Sequence, residues 1–212
     1  ITIYQNLLII NMFLRLLLFG LFSLSINNIF SQFKYFKGGI LGGIAGSQMD
    51  GDELGGYNKP GIYAGFFVNR EINNSWRYQI EMKYINKGAY KKSTVEDPQK
   101  YHRSLHYIEL PFLMNYKVLD KVYFESGLSA GYLFRATVDF GNGKVIATEE
   151  MKKYDFNFLL GIFYSTSSKF SFDLRFAHSI LPVSHYVGNR TLWGYDSQVN
   201  NVLSFGINYT FK

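Results

Sequence analysis

Cysteine is absent from the 212 residues, which excludes disulfide frameworks, zinc–thiolate sites and cysteine nucleophiles. Charge is sparse at 18%, against about 25% in ordinary soluble domains. No run of Lys or Arg resembles a nucleic-acid-binding arm, although the formal net charge is +6. Long apolar runs are missing after residue 31, and the mean hydropathy is −0.06, so a bundle of membrane-spanning helices is excluded. Proline numbers only 4. What is plentiful is apolar and aromatic surface, at 47% and 18%, enough to exclude a disordered chain.

The single continuous apolar stretch lies near the start. Met12-Phe13-Leu14-Arg15 places a positive charge ahead of Leu16–Ile26, and Asn27 to Ser31 follow as a polar, small-residue tail. Charged, apolar, then small is the order of a secretory signal peptide. The apolar core of about 11 residues falls short of the roughly 20 that span a bilayer. The expectation is a signal peptide over 1–31, a true start at Met12 and cleavage after Ser31. An exported chain of 32–212 would follow, with no nucleic-acid partner.

From Gln32 onward the pattern has a period of two. In 76–84, Trp76, Tyr78, Ile80, Met82 and Tyr84 alternate with Arg77, Gln79, Glu81 and Lys83. Successive side chains of a strand point to opposite faces, so one face is greasy and the other ionic. The pattern recurs at 105–117, 122–135, 154–164, 170–178 and 199–211. A weaker form appears at 60–70 and a Gly-rich one at 34–46, giving eight expected strands of a length that crosses a bilayer when tilted. Their connectors alternate. Short turns fall at 71–75, 118–121 and 165–169, and longer polar loops at 47–59, 88–104, 136–151 and 180–196.

Those observations predict an all-β fold, an eight-stranded antiparallel up-and-down transmembrane β-barrel of the bacterial outer membrane. A sheet in hydrocarbon must close, because lipid offers no partner to a free edge. The even strand count predicts both termini on the periplasmic side. The greasy faces would overfill a lumen of eight strands, which is only wide enough for side chains, so they are expected to meet lipid. The expected lipid-facing set is Ile80, Met82, Leu110, Phe112, Phe124, Leu128, Phe158, Leu160, Phe172, Leu174, Phe205 and Ile207. The expected interior network is Arg77, Glu81, Lys83, Glu109, Lys117, Glu125, Arg135, Asp155, Asp173 and Arg175. Its equal numbers of acids and bases predict salt bridges and no open general-diffusion pore. Trp76, Tyr116, Tyr132, Tyr154, Tyr164 and Tyr209 suit interfacial girdles.

Several segments carry a family resemblance. They are Lys59-Pro60-Gly61-Ile62-Tyr63-Ala64-Gly65, Tyr84-Ile85-Asn86-Lys87-Gly88-Ala89, Tyr107-Ile108-Glu109-Leu110-Pro111-Phe112-Leu113 and Glu125-Ser126-Gly127-Leu128-Ser129-Ala130-Gly131-Tyr132-Leu133. In order and spacing they resemble the PorT-like outer-membrane β-barrel family, and Tyr-Ile-Glu-Leu-Pro is the most specific piece. The resemblance implies the same eight-stranded barrel and carries over no catalytic residue. Its namesake's association with secretion and gliding machinery does not transfer on fold alone.

Chemistry-bearing clusters are few. Asp50, Asp52 and Glu53 sit together in the first long loop but lack the full pattern of a Ca²⁺ loop. His102 and His106 are spaced for a helix face, yet lie where a loop meets a strand. His178, Ser179, Ser184 and His185 offer the residue types of a Ser–His site without a nucleophile-elbow pattern. Gly39, Gly43, Gly42 and Gly46 read as strand glycines that admit a neighbour's bulk. The sequence therefore predicts no catalytic residue, no metal and no cofactor, and a protein that is not an enzyme. It predicts a monomer in outer-membrane lipid with a structural or interaction role. Contact with other envelope proteins would run through extracellular loops bearing Tyr57, Tyr90, Tyr101, Tyr186, Trp193 and Tyr195. The alternatives are a small-solute channel, a component of a secretion or attachment complex and, further off, a lipid-modifying enzyme.

Overall fold

The computed structural model describes residues 36–52, 54–93, 100–185, 191, 194 and 196–211. The expected signal peptide, together with Tyr186, Trp193 and Tyr195, lies outside the described residues. Where alternation is strongest the backbone is extended, because only an extended chain gives every second side chain the same surroundings. The strands are β1 (Phe36–Asp50), β2 (Lys59–Glu71), β3 (Trp76–Lys91), β4 (Tyr101–Leu119), β5 (Val122–Asp139), β6 (Lys144–Ile146), β7 (Tyr154–Ser165), β8 (Phe170–Ser179) and β9 (Val199–Thr210). Each long strand pairs antiparallel with its neighbours in sequence, and β1 pairs with β9, which closes an up-and-down ring of eight. The short β6 lies outside the ring, folding back on β5 as a hairpin. Among the described residues no helix is long and apolar enough to cross a membrane.

All three short turns lie at one end of the ring, as do the start of β1 and the end of β9, where Gly39 pairs with Thr210. The four longer connections lie at the other end. Several strands run further toward that loop end than alternation suggested. Residues 88–91, 101–104 and 136–139 were expected in loops and are strand. Beyond the greasy band both faces of these extensions become mixed, so the period of two fades while the ladder continues.

The outer face is apolar all round. Ile80, Met82, Leu110, Phe112, Phe124, Leu128, Leu160, Leu174, Phe205 and Ile207 are exposed on it, and Phe158 and Phe172 are half-buried among aromatic neighbours on the same face. Aromatics edge this band. Trp76 and Tyr116 pack with ring centroids 4.9 Å apart toward the short-turn end, and Tyr132 and Tyr154 pack at 5.9 Å toward the loop end. From Phe124 to Tyr132 along β5 is about 26 Å at the usual strand rise, close to the height of an apolar barrel belt once tilt is allowed for.

Inside, glycines make room for large rings. A Cβ on Gly39 would fall 2.5 Å from the Phe67 ring, and one on Gly43 would fall 2.8 Å from the Tyr63 ring. Gly206 faces the Tyr63 hydroxyl in the same way.

Three residues depart from the expected interior network. Arg135 is exposed. The β4–β5 register shifts between His106 and Tyr107, so that Tyr107 faces Leu133 while His106 faces Arg135, leaving Phe134 as an extra residue. Such a bulge reverses the alternation beyond it, so that Leu133 before it and Ala136 after it both face inward while Arg135 turns outward. Lys117 sits at the rim, where its ammonium bridges Asp120 of the turn at 3.2 Å. Arg77 points inward but meets no carboxylate at salt-bridge distance among the described residues. It lies over the Phe163 and Tyr123 rings instead, at 4.1 and 4.8 Å.

Candidate functional site at the loop end

The interior is built in layers. Lowest is a charged belt on alternate positions of β3, β5 and β8. Arg175 donates to both oxygens of Glu81 at 3.0 Å each and to Glu125 at 2.6 Å, with Asp173 at 3.9 Å. The fork geometry of the guanidinium suits this two-oxygen contact. Gln79 donates to Glu81 at 2.7 Å, Asn115 to Glu125 at 2.9 Å and Asn208 to Asp173 at 2.8 Å. One level up, Lys87 joins Glu109 and Asp155, each at 2.7 Å, and Lys83 stands 3.7 Å from Glu109. Five acids of the expected network thus lie in contact with Lys83, Lys87 and Arg175, and every one of these side chains is buried. Enclosed charges of one sign are costly unless matched, which explains why the two signs interleave along the axis.

Above the charges comes an apolar layer. Ile85, Ala89, Leu105, Leu133, Ala136 and Met49 project inward from the strands. Two loop residues complete it. Met151 and Val183, at 2% and 0% exposure, fold down from the β6–β7 and β8–β9 connections. The connections hold each other: Met151 bridges Ser184, the Lys152 amide donates to the Val183 carbonyl, and the His185 amide donates to the Glu150 carbonyl. A 3₁₀ turn at Thr148–Glu150 redirects the chain. Arg103 fastens this plug to the wall, donating to Glu150 at 2.9 Å and to the Met151 sulfur at 3.0 Å.

Over the plug opens a cavity of about 590 Å³ lined by Asp52, Leu54, Lys91, Lys100, Tyr101, Phe140 and Gln198. Asp52 Oδ1 accepts the Leu54 amide at 2.9 Å, while its Oδ2 and the Gln198 Oε1 are buried without partners among the described residues. Burial pushes the Asp52 carboxyl up to about 6, a shift that the Leu54 amide and the Arg103 charge only partly oppose. Lys100 bridges Asp139 at 3.0 Å. Next to the cavity, the β5–β6 hairpin presents Phe140, Val145 and Ile146 to solvent.

Sequence reasoning missed Lys87 and Arg103. Both are in phase with the inward positions of their strands, 83–85–87 and 103–105–107, and extending the alternation past its greasy part would have found them. Tyr57 is exposed in its loop, whereas Tyr90 and Tyr101 belong to β3 and β4. His102 and His106 lie within β4 and turn to aromatic neighbours. The His106 Nδ1 is 2.8 Å from the Tyr84 hydroxyl, and His102 packs edge-on to Tyr90. His178 is buried and bonded to Asn201, and the Ser179 hydroxyl accepts the Asn200 amide, so both belong to the packing of the β8–β9 wall.

A closed antiparallel ring of eight strands with a greasy exterior and a charged, enclosed interior defines an outer-membrane barrel. Residues 24–184 match the family described as outer membrane protein beta-barrel domain, and the chain belongs to that family. It is a bacterial outer-membrane protein. Among solved structures it is similar to Ail, the attachment invasion locus protein of Yersinia pestis, with 15% identity, TM-score 0.50, and coverage of 84% of this chain and 99% of Ail. It is also similar to Neisserial surface protein A, with 16% identity, TM-score 0.50, and coverage of 83% and 97%. No curated protein matches.

Proposed function

We propose that this barrel is a closed wall whose work is done by its loop end, as a contact surface and not as a conduit. The observation that carries the reading is the plug. Met151 and Val183 seal an apolar layer across the lumen, and a layer of paired charge lies beneath it. A hydrated ion crossing this path would have to break both. Above the seal, the exposed Phe140, Val145 and Ile146 stand beside a polar cavity, a mixture that suits docking of another envelope protein. The likeness to Ail and Neisserial surface protein A concerns the fold alone.

In this reading the loop end faces outward and the short turns face the periplasm. Residues 1–31 act as the export signal, the barrel is a monomer in outer-membrane lipid, and no residue is catalytic. The sequence pieces around Tyr107–Leu113 support a place within the PorT-like branch, and the exposed hairpin supports membership of a secretion or attachment complex. The test is single-channel recording of the refolded protein in planar bilayers. Wild type is expected to stay closed, and Met151→Gly with Val183→Gly to raise conductance. Steady conductance by wild type would sink the reading.

A further inference from the structure

The short-turn end holds a second cavity, of about 370 Å³, lined in part by Glu71, Asn74, Trp76, Arg77, Lys117 and Tyr123. Arg77 is the informative member. Arg175, Lys83 and Lys87 each meet a buried carboxylate, but Arg77 does not. Its one hydrogen bond among the described residues is a long one, 3.4 Å from Nε to the Asn115 Oδ1, and its Nη2 is enclosed without a partner. The acids around it are already engaged. Glu71 is bridged by Lys37 at 2.7 Å, and Glu125 by Arg175 at 2.6 Å.

A guanidinium held against two rings with donors to spare is costly to bury. The second cation of the cavity, Lys117, has among the described residues one salt bridge, to Asp120, whose side chain is 99% exposed. Four amides of the turn are already bonded. Ile72 and Asn73 donate to the Trp76 carbonyl, and Ser75 and Trp76 donate to the Asn73 side chain.

We propose that Arg77 and Lys117 form a binding site for a small oxyanion, a phosphate or carboxylate group, entering from the short-turn end. Two oxygens of such a group match the donor fork of a guanidinium, and the ammonium adds a second positive charge to the lining. Trp76, which also packs on Tyr116, belongs to the aromatic edge of the greasy band, so a lipid phosphate and a free phosphate are both available sources at that height.

The chain has two tryptophans, so Trp193→Phe leaves Trp76 as the sole fluorophore. In that background, refolded in an uncharged sugar-based detergent, the Trp76 emission is titrated with inorganic phosphate and with acetate, using chloride at equal ionic strength as the reference. A second arm places the barrel in nanodiscs of phosphatidylglycerol or of an uncharged glycolipid and repeats the phosphate titration. A saturable change with phosphate or acetate, weakened at least tenfold by Arg77→Gln and less by Lys117→Gln, is the expected result. If phosphatidylglycerol removes the response to free phosphate, the headgroup occupies the site; if it does not, the site takes the free anion. A linear response equal to that of chloride, or a saturable one unchanged in both variants, overturns the proposal. Should Arg77→Gln fail to migrate as a folded barrel on an unboiled gel, Arg77→Lys and Lys117→Gln carry the same comparison.

Discussion

The two ends of the barrel solve opposite problems with the same wall. At the short-turn end the chain reverses in a few residues, at 72–75, 120–121 and 166–169. Little chain is available there to fold inward, and a cavity reaches an unmatched Arg77. At the loop end the connections are long enough to return into the lumen, and Met151 and Val183 close it. Connector length thus decides which end is sealed. The layered charges between them belong to both ends, since they separate the open cavity from the apolar plug.

Mutations separate the roles of the two ends. The largest effect is expected at the shared belt. Arg175→Met leaves Glu81, Glu125 and Asp173 enclosed without their cation, and should cost about 3–5 kcal/mol in urea unfolding from lipid vesicles, loosening both ends together. Next, Ile80→Arg or Leu160→Arg on the outer wall should cost about 2–4 kcal/mol where the site meets the bilayer midplane. Substitutions at Lys144 or Val145 in the hairpin should stay within about 0.5 kcal/mol. If wall and hairpin respond alike in the same assay, the wall does not face hydrocarbon.

Third, Val183→Ala should cost about 1 kcal/mol, with faster hydrogen exchange at Lys152 and His185 and none of that change at the short turns. The smallest effect is a pH trend confined to the loop end. Asp52 holds its proton up to about 6 in the folded protein, against 3.8 for the free group. The folded loop therefore binds protons more tightly than the unfolded chain. Its contribution is complete below pH 4, declines as pH rises to about 6 and is gone above that. Asp52→Asn should flatten this trend in hydrogen exchange of the first loop, leaving exchange at the short turns unchanged.

Much of the wall was legible in the sequence. Between Trp76 and Tyr84 each step changes from greasy to ionic, and Ile80 and Glu81 stand on the faces that the pattern assigns. Legibility ended where the two faces stop differing. Lys87, Gly88 and Ala89 are all buried beyond the greasy band, so the strand continues with no alternation to announce it. Arg135 misled for another reason. The bulge at Phe134 depends on how β4 and β5 pair, and a single strand carries no record of its partner's register. Arg77 was expected in a salt bridge because its phase is inward. Its partners are rings from β5 and β7 that no spacing along β3 could specify.

An all-β chain with one apolar and one charged face per strand, and connectors that alternate in length, could be read from the order of residues alone. These follow from local geometry, since side-chain direction along an extended backbone repeats every two residues. Which charges meet, which strand reverses phase, and the inward turn of two loops that closes the lumen emerge from the folded ring. Those outcomes depend on distances between residues far apart in the chain, such as Arg175 with Glu81 and Arg103 with Glu150, and such distances exist only once the ring has closed.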